Sequence, residues 1–393
     1  MKIYFDHAAT TPLDKCVLDC MMPYLTNCFG NADSQHFFGR ETAKAVADAR
    51  EKVASIINCA PNELYFTGSG TEADNWALKG ASIARRNRGN KVIITAIEHH
   101  AILTAADWLM KNGFEVVKLP VDSTGLVSVD DLEKNIDDNT ILVSIMYANN
   151  EVGTIQPIKQ LAEVAHKHGA LFHTDCVQAI PYMKIDVKEL GVDMLTISAH
   201  KFYGPKGVGA LYIRNGVKLD KLIGGGGQER SQRGGTTDTA AVVGMAKALE
   251  IAQRDLDKNN AYIAKLRDHF VDRVLAEIPY VRFNGNREHR VPSVANFSFE
   301  FVEGEGILML MDFHGVAVSS GSACSSGSLD PSHVLLAMGV PIEISHGSIR
   351  FSFGKNNTME EVDYTVDALK DTIAKLREMS PLFNLETGGT YNV

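Results

Sequence analysis

The chain reads as an α/β protein: a mostly parallel sheet covered by helices on both faces, with a smaller α+β unit at the C-terminal end. Three observations lead there. From Lys91 onward, short runs that are apolar throughout alternate with helical patterns, as strands buried on both faces do. Polar residues gather at the carboxyl ends of those runs, where open α/β sheets place their ligands. After a polar break at Lys258-Asn-Asn a new unit begins. The 393 residues leave room for one large domain, expected over 13–258, and a small one made of 1–12 and 259–380, with a tail at 381–393.

Composition narrows the class. A hydrophobic fraction of 45% with 22% charged residues is ordinary for a globular enzyme in solution. A net charge of −9 argues against nucleic acid or an anionic membrane as partner, because phosphate surfaces need a basic footprint. No apolar run is long enough to span a bilayer and the first residues show no signal-peptide pattern, so a cytoplasmic location is expected. The six cysteines form no CxxC, and Cys16/Cys20 have the spacing of one helix face, which speaks against a metal cage or disulfide framework. Burial is the expectation for Cys16, Cys20 and Cys176.

Taken in order, Asp6 to Pro12 is a small polar loop, and a helix follows from about Asp14 to Leu25. Phe29 to His36 is a turn-rich connector, in which Asn31 is either a turn former or a ligand contact. A helix over 40–57 carries an apolar stripe of Ala43, Val46, Ala49, Val53 and Ile56. Leu64 to Thr67 is a strand that ends in Gly68-Ser69-Gly70-Thr71 and opens a helix, an arrangement that offers backbone N–H groups to a phosphate or serves as a plain N-cap. Strands follow at 91–95, 114–119, 141–147, 170–174 and 194–197, separated by helices reaching 111, at 129–136 and at 158–168. The small unit has helices at 261–277, 305–313, 331–338 and 359–377, with strands at 281–283, 294–299 and 349–353.

Met194 to Ile213 is the chemical centre. An apolar run stops at Ser198-Ala-His-Lys201, turns through a Gly/Pro loop and resumes at Val208, so Lys201 stands at a polar corner between two buried strands. Such a lysine, partly desolvated, can form a Schiff base with an aldehyde; a surface hairpin lysine is the alternative. Other strand ends supply the remaining needs of pyridoxal phosphate. Asp175 suits the ring nitrogen, Gln178 the ring hydroxyl, and His99 can stack on the ring and shuttle a proton. Gly70, Thr71, Ser198 and His200 suit the phosphate. Arg350 is a fork for a substrate carboxylate, or else an edge-strand arginine facing water. Cys324 sits alone in Ser319-Ser-Gly-Ser-Ala-Cys-Ser-Ser-Gly-Ser328, a setting for a travelling nucleophile that a plain Ser/Gly linker leaves unexplained.

These motifs together resemble the cysteine desulfurases of the NifS/IscS type, in the class V aminotransferase branch of fold type I pyridoxal-phosphate enzymes. The resemblance runs over nearly the whole chain and is carried by Thr67-Gly-Ser-Gly-Thr-Glu-Ala-Asp-Asn75, Ala148-Asn-Asn-Glu-Val-Gly153, His173-Thr-Asp-Cys-Val-Gln178, Ser198-Ala-His-Lys-Phe-Tyr-Gly-Pro-Lys-Gly207 and Ser319-Ser-Gly-Ser-Ala-Cys324. It implies a seven-stranded sheet and a covalent link from Lys201 to the cofactor, with Asn150, Asp175 and Gln178 at the ring. Thr236 from a partner subunit would join the phosphate ligands, which makes a homodimer necessary for a complete site. It further implies that Asn31 and Arg350 bind the carboxylate of L-cysteine. Cys324 would take its sulfur as a persulfide, release alanine, and pass the sulfur to an iron–sulfur scaffold or other acceptor protein. Ala32, Gln228 and His7 depart from the residues usual in the family. Rival readings are a transaminase or selenocysteine lyase of the same fold, and a non-catalytic protein of iron–sulfur assembly.

Overall fold

A computed structural model describes residues 2–320, 331–384 and 389–390. The chain opens on a two-residue strand, β1 (Ile3–Tyr4). The apolar runs then build a seven-stranded sheet from β2 (Leu64–Thr67), β3 (Lys91–Thr95), β4 (Glu115–Leu119), β5 (Thr140–Ser144), β6 (Leu171–Asp175), β7 (Met194–Ser198) and β8 (Gly209–Ile213), in the order β2-β8-β7-β6-β5-β3-β4. Only β8 runs against its neighbours. Every residue of β3, β5, β6, β7 and β8 is buried, which is why these strands show no alternation in sequence.

β7 and β8 pair from Met194↔Ile213 to Ser198↔Gly209, so the hairpin delivers Lys201 just past the end of the sheet. Gly209 is required there. A Cβ on it would lie 2.7 Å from the carbonyl carbon of Ser69, so a side chain would push the Ser69–Gly70 turn off the sheet.

Three antiparallel strands, β9 (Val281–Asn284), β10 (Val294–Phe299) and β12 (Ser348–Ser352), make a second sheet in the order β12-β10-β9. β11 (Val316–Ala317) pairs in parallel with β1, and Asp6 bridges to Ser352, so the N-terminus is stitched into this second unit. Phe5, Phe270, Phe297, Phe351 and Phe353 share its core with the helices Leu256–Glu277 and Met359–Met379. No helix among the described residues is long and apolar enough to cross a membrane.

Several expectations need correction. The helix expected from 261 begins at Leu256, because Lys258 points to water while Asn259 and Asn260 are half-buried, Asn260 donating to the Tyr182 carbonyl at 2.7 Å, and none of them interrupts it. The first long helix starts at Phe37, and its buried side is Thr42, Ala45, Val46, Ala49, Val53 and Ala54, offset from the predicted stripe. Cys16 is exposed and Cys20 half-buried, because helix Lys15–Thr26 buries Val17 and Met21, each one residue further on. Cys176 is buried as expected.

Candidate active site

The polar corner after β7 is a single 3-10 turn, Ala199–Lys201, and the N-terminal loop lies across it. Lys201 Nζ donates to the Ala8 and Ala9 carbonyls at 2.6 and 2.8 Å. Thr11 clasps the corner from both sides, donating from Oγ1 to the His200 carbonyl at 2.8 Å and accepting there from the Tyr203 N–H at 2.8 Å. Gln178 Nε2 donates to the Ala8 carbonyl at 2.9 Å, and His200 Nδ1 pairs with Thr10 Oγ1 at 3.1 Å. The segment read from sequence as a mere loop is thus a wall of the site.

A cavity of about 520 Å³ opens over this corner. Ten of the predicted residues line it: Gly70, Thr71, His99, Asn150, Asp175, Gln178, Ser198, His200, Lys201 and Arg350. Asn31 and Thr236 are not among its lining residues. Asn31 Oδ1 accepts from the Asp33 N–H at 3.0 Å, a turn-former's bond, and Thr236 is exposed. Cys324 lies outside the described residues.

One end of the cavity suits a phosphate. Ser69 caps the helical turn Gly70–Asn75 by accepting from the Glu72 N–H at 3.1 Å, and the helix runs on through a π turn at Trp76–Gly80. A Cβ on Gly70 would stand 3.1 Å from Val177 and 3.2 Å from Ser198, filling the cradle between them. Hydroxyls of Thr71 and Ser198 and the imidazole of His200 complete a donor set for an anion.

The middle suits a protonated pyridine ring. Burial pushes the Asp175 carboxyl up to about 6, against the Val177 N–H, which reaches Oδ1 at 2.9 Å, and the Lys201 charge. A cationic ring nitrogen against that carboxylate would offset the desolvation. Burial, and then the charge of Lys201, pull His99 down to about 4, so its imidazole is neutral. His99 Nδ1 accepts the Ala101 N–H at 3.2 Å, which leaves the ring proton on Nε2.

The far end suits a carboxylate. Arg350 is aligned with Asn296 across β12 and β10, and its side chain is only 4% exposed, which rules out a surface arginine. Asp6 accepts from its Nη2 at 2.9 Å and the Asn150 carbonyl from its Nη1 at 3.0 Å, so the fork is aimed before substrate arrives.

Two buried acids near the cavity escaped sequence reading. Asp74 lines it beside Asp175, and the only sequence signal was an acid preceding the apolar Trp76-Ala-Leu. Glu98 accepts from Thr95 Oγ1 at 2.6 Å and from the Met146 N–H at 3.0 Å. Burial pushes Glu98 up to about 8 and Glu151 up to about 7.

These acids set a pH dependence of stability. A buried acid with a raised value holds a proton that the unfolded chain has already released, so stability falls as pH rises from about 4.5 to the folded value. His99 and His200, both pulled to about 4, act in the opposite sense, costing stability as pH falls from about 6.5. Between pH 6.5 and 8 the acid slope should dominate, at most about 1.4 kcal/mol per pH unit for each group. Thermal melts of cofactor-free protein should show Tm falling over that window, less steeply in Glu98→Gln; identical slopes would refute this assignment.

A lysine at the hairpin corner, a buried carboxylate one strand away and an anion cradle, all at the carboxyl ends of a parallel sheet, define a pyridoxal-phosphate enzyme of fold type I. The profile of the Aminotransferase class-V family matches residues 3–365. The chain is 51% identical over 384 residues to "Cysteine desulfurase IscS" of Clostridium botulinum, covering 97% of both chains. A solved "NifS-like protein" superposes with a TM-score of 0.90 at 39% identity, over 96% of this chain and 100% of that one. "SspA in complex with cysteine" does so with a TM-score of 0.80 at 34% identity, over 91% and 100%. The chain belongs to the class V aminotransferase family, in its cysteine desulfurase branch, and its cofactor is pyridoxal 5'-phosphate.

The bound cofactor supplies electron withdrawal from the substrate's α-carbon. Lys201 and Asp175 would hold its aldehyde and ring nitrogen, and Gly70, Thr71, Ser198 and His200 its phosphate. Arg350, aimed by Asp6, would orient the substrate carboxylate and so fix which bond of the α-carbon faces the ring. The Ala101 N–H keeps the imidazole of neutral His99 in one orientation, with its ring proton on Nε2, the atom from which it would give a proton.

Proposed function

We propose that this cysteine desulfurase binds L-cysteine with its carboxylate on Arg350 and gives up the substrate sulfur to Cys324. The Cys324 thiolate forms a new S–S bond to the substrate sulfur as the carbon–sulfur bond breaks. The sulfur stays on the enzyme as a persulfide, and the carbon skeleton takes up a proton and leaves as L-alanine. One observation carries the reading: Lys201, Asp175, His99 and Arg350 face one cavity from four separate segments of the chain. An acceptor protein, such as an iron–sulfur scaffold, then takes the sulfur. A pair of domains, 13–258 and 1–12 with 259–380, fits the separate aromatic core around Phe270 and Phe351.

A homodimer is part of the proposal. Phe29 and Phe37 are 68% and 63% exposed and cluster with Phe38, and Leu25 and Met22 are exposed as well, an apolar surface of the kind that marks an interface. Thr236, exposed in one chain, would complete the phosphate site of the other.

Mass spectrometry of the protein after mixing with L-cysteine, with alanine assayed in the same tube, tests the reaction. An added sulfur on Cys324 together with alanine is the expected result. Alanine with Cys324 unchanged would favour a selenocysteine lyase or transaminase type of chemistry. Arg350→Gln should raise KM for L-cysteine about 10- to 100-fold, the loss of a charged hydrogen-bond pair worth about 1.5–3 kcal/mol. An unaltered KM would move the carboxylate site elsewhere.

A further inference from the structure

Behind Asp175 lies a second carboxyl for which the reaction has no use. Asp74, 2% exposed, stands on the turn Gly70–Asn75 and lines the same cavity. Its Oδ1 has no hydrogen-bond partner among the described residues and lies 3.8 Å from His173 Nε2, beyond bonding distance. His173 precedes Asp175 by two residues on β6, so both point to one face of the sheet. Thr196 is the register partner of Asp175 on parallel β7, and its hydroxyl bonds both His173 Nε2, at 3.0 Å, and Asp74. The other ring nitrogen of His173 meets Ser144 Oγ at 2.8 Å. Asp74, Thr196, His173 and Asp175 therefore form one buried cluster between the sheet and the turn.

The titratable groups that act on Asp74 are mostly acids, and the Lys201 cation lines the same cavity. The acids are the carboxyls of Asp175 and Glu98, with His173 neutral because burial holds it near 3. Two buried carboxyls that line one cavity and raise one another resist ionising together, so the pair retains a proton. Asp175 has the Val177 N–H on Oδ1 and the charge of Lys201 nearby, both of which favour its anion. Burial first, and the charge of Asp175 second, favour the protonated form of Asp74 and outweigh the Thr196 hydrogen bond, which favours its anion.

We propose that Asp74 is a positioning residue that carries the proton of the Asp74/Asp175 pair, so that Asp175 stays ionised against the ring nitrogen of the cofactor. The proposal rests on the pyridoxal-phosphate site described above. It makes the deeper acid a spacer of fixed charge: neutral, hydrogen-bonded through Thr196, and silent in the chemistry unless it is replaced.

Infrared difference spectroscopy of the holoenzyme in H2O and D2O reads the proton directly, through the stretch of a protonated carboxyl. With the Glu98 and Glu151 contributions identified by Glu98→Gln and Glu151→Gln, a further band should vanish in Asp74→Asn and persist in Asp175→Asn. The absorbance titration of the bound cofactor should move by less than about half a pH unit in Asp74→Asn, since asparagine keeps the site neutral. Thr196→Val, which keeps both acids, should shift the Asp74 band without abolishing it. A band that survives Asp74→Asn and vanishes in Asp175→Asn, or one that ignores Thr196→Val, would overturn the assignment. None of these readouts needs turnover: an enzyme that makes no alanine yet shows the band would sink the proposed function alone, and an active one without it would sink only this inference.

Discussion

Lys201→Ala is expected to give a folded protein whose desulfuration rate has dropped by at least the 10²- to 10⁴-fold that a positioned acid–base group supplies. The loss should exceed a simple charge effect, because Lys201→Arg keeps a cation but not an amine able to bond an aldehyde and should be as inactive. Borohydride reduction followed by peptide mapping should place the cofactor on Lys201 in the parent and on no residue in either variant. Some cofactor should still bind, since the anion cradle of Gly70, Thr71, Ser198 and His200 is untouched. In cofactor-free protein the Ala8 and Ala9 carbonyls lose their 2.6 and 2.8 Å donor in Lys201→Ala, so a loss of about 1–3 kcal/mol in stability should be measured there. Reduction that labels another lysine would remove Lys201 from the centre of the mechanism.

Glu229→Ala should have the largest effect on folding, about 3–5 kcal/mol. Its carboxylate, 5% exposed, takes both Nη atoms of Arg50 at 2.8 and 2.6 Å and the Phe66 N–H at 2.9 Å. Arg50 is itself 13% exposed and packed over the Phe66 ring, so removing the carboxylate strands a buried cation and an edge N–H of β2 together. The turn that carries Glu229 is itself strained, and its relaxation would offset part of the loss. Glu229, Arg230 and Ser231 have φ of 44°, 55° and 62°, three successive side chains in the left-handed region, each costing on the order of 1 kcal/mol. Arg230 holds the far side of that turn, over the Tyr65 ring and on the Leu64 carbonyl at 2.7 Å. Without Glu229 the turn should relax, and with it the path of the Gly-rich segment toward Thr236. Chemical denaturation measures the first effect; a midpoint that barely moves would mean that water reaches Arg50 once the carboxylate is gone. Glu229→Gln, which can still accept from Arg50 and Phe66, should lose clearly less.

Much of the site was legible because its parts stand at the ends of strongly apolar strands. Asp175 closes β6, Ser198 closes β7, and His200 and Lys201 follow within one turn, so strand pattern and chemistry reinforce one another over a few residues. Arg350 was readable only as a choice between a clamp and a surface residue. What decided it was Asp6, far away in sequence, and a backbone bridge between Ser319 and Arg350. Cys16 and Cys20 were placed wrongly because an i, i+4 pair defines a helix face without saying which face turns inward; Val17 and Met21 took it. The break expected at Lys258-Asn-Asn failed for a related reason: polar residues interrupt an apolar pattern without interrupting a helix that has one dry face.

By itself the sequence determined the alternation of buried strands and helices, the corner that presents Lys201, and ten of the residues that line the cavity, because each of these is a local pattern of apolar spacing ending in a functional group. Tertiary structure alone decided that the N-terminal loop would wall the site and hydrogen-bond Lys201, that Asp6 would aim Arg350, that Asp74 would stand behind Asp175, and that Glu229 would pin its strained turn on Arg50. Each of those is a contact between segments distant in sequence, and its energy comes from excluding water around a polar pair, a quantity that no short stretch of sequence encodes.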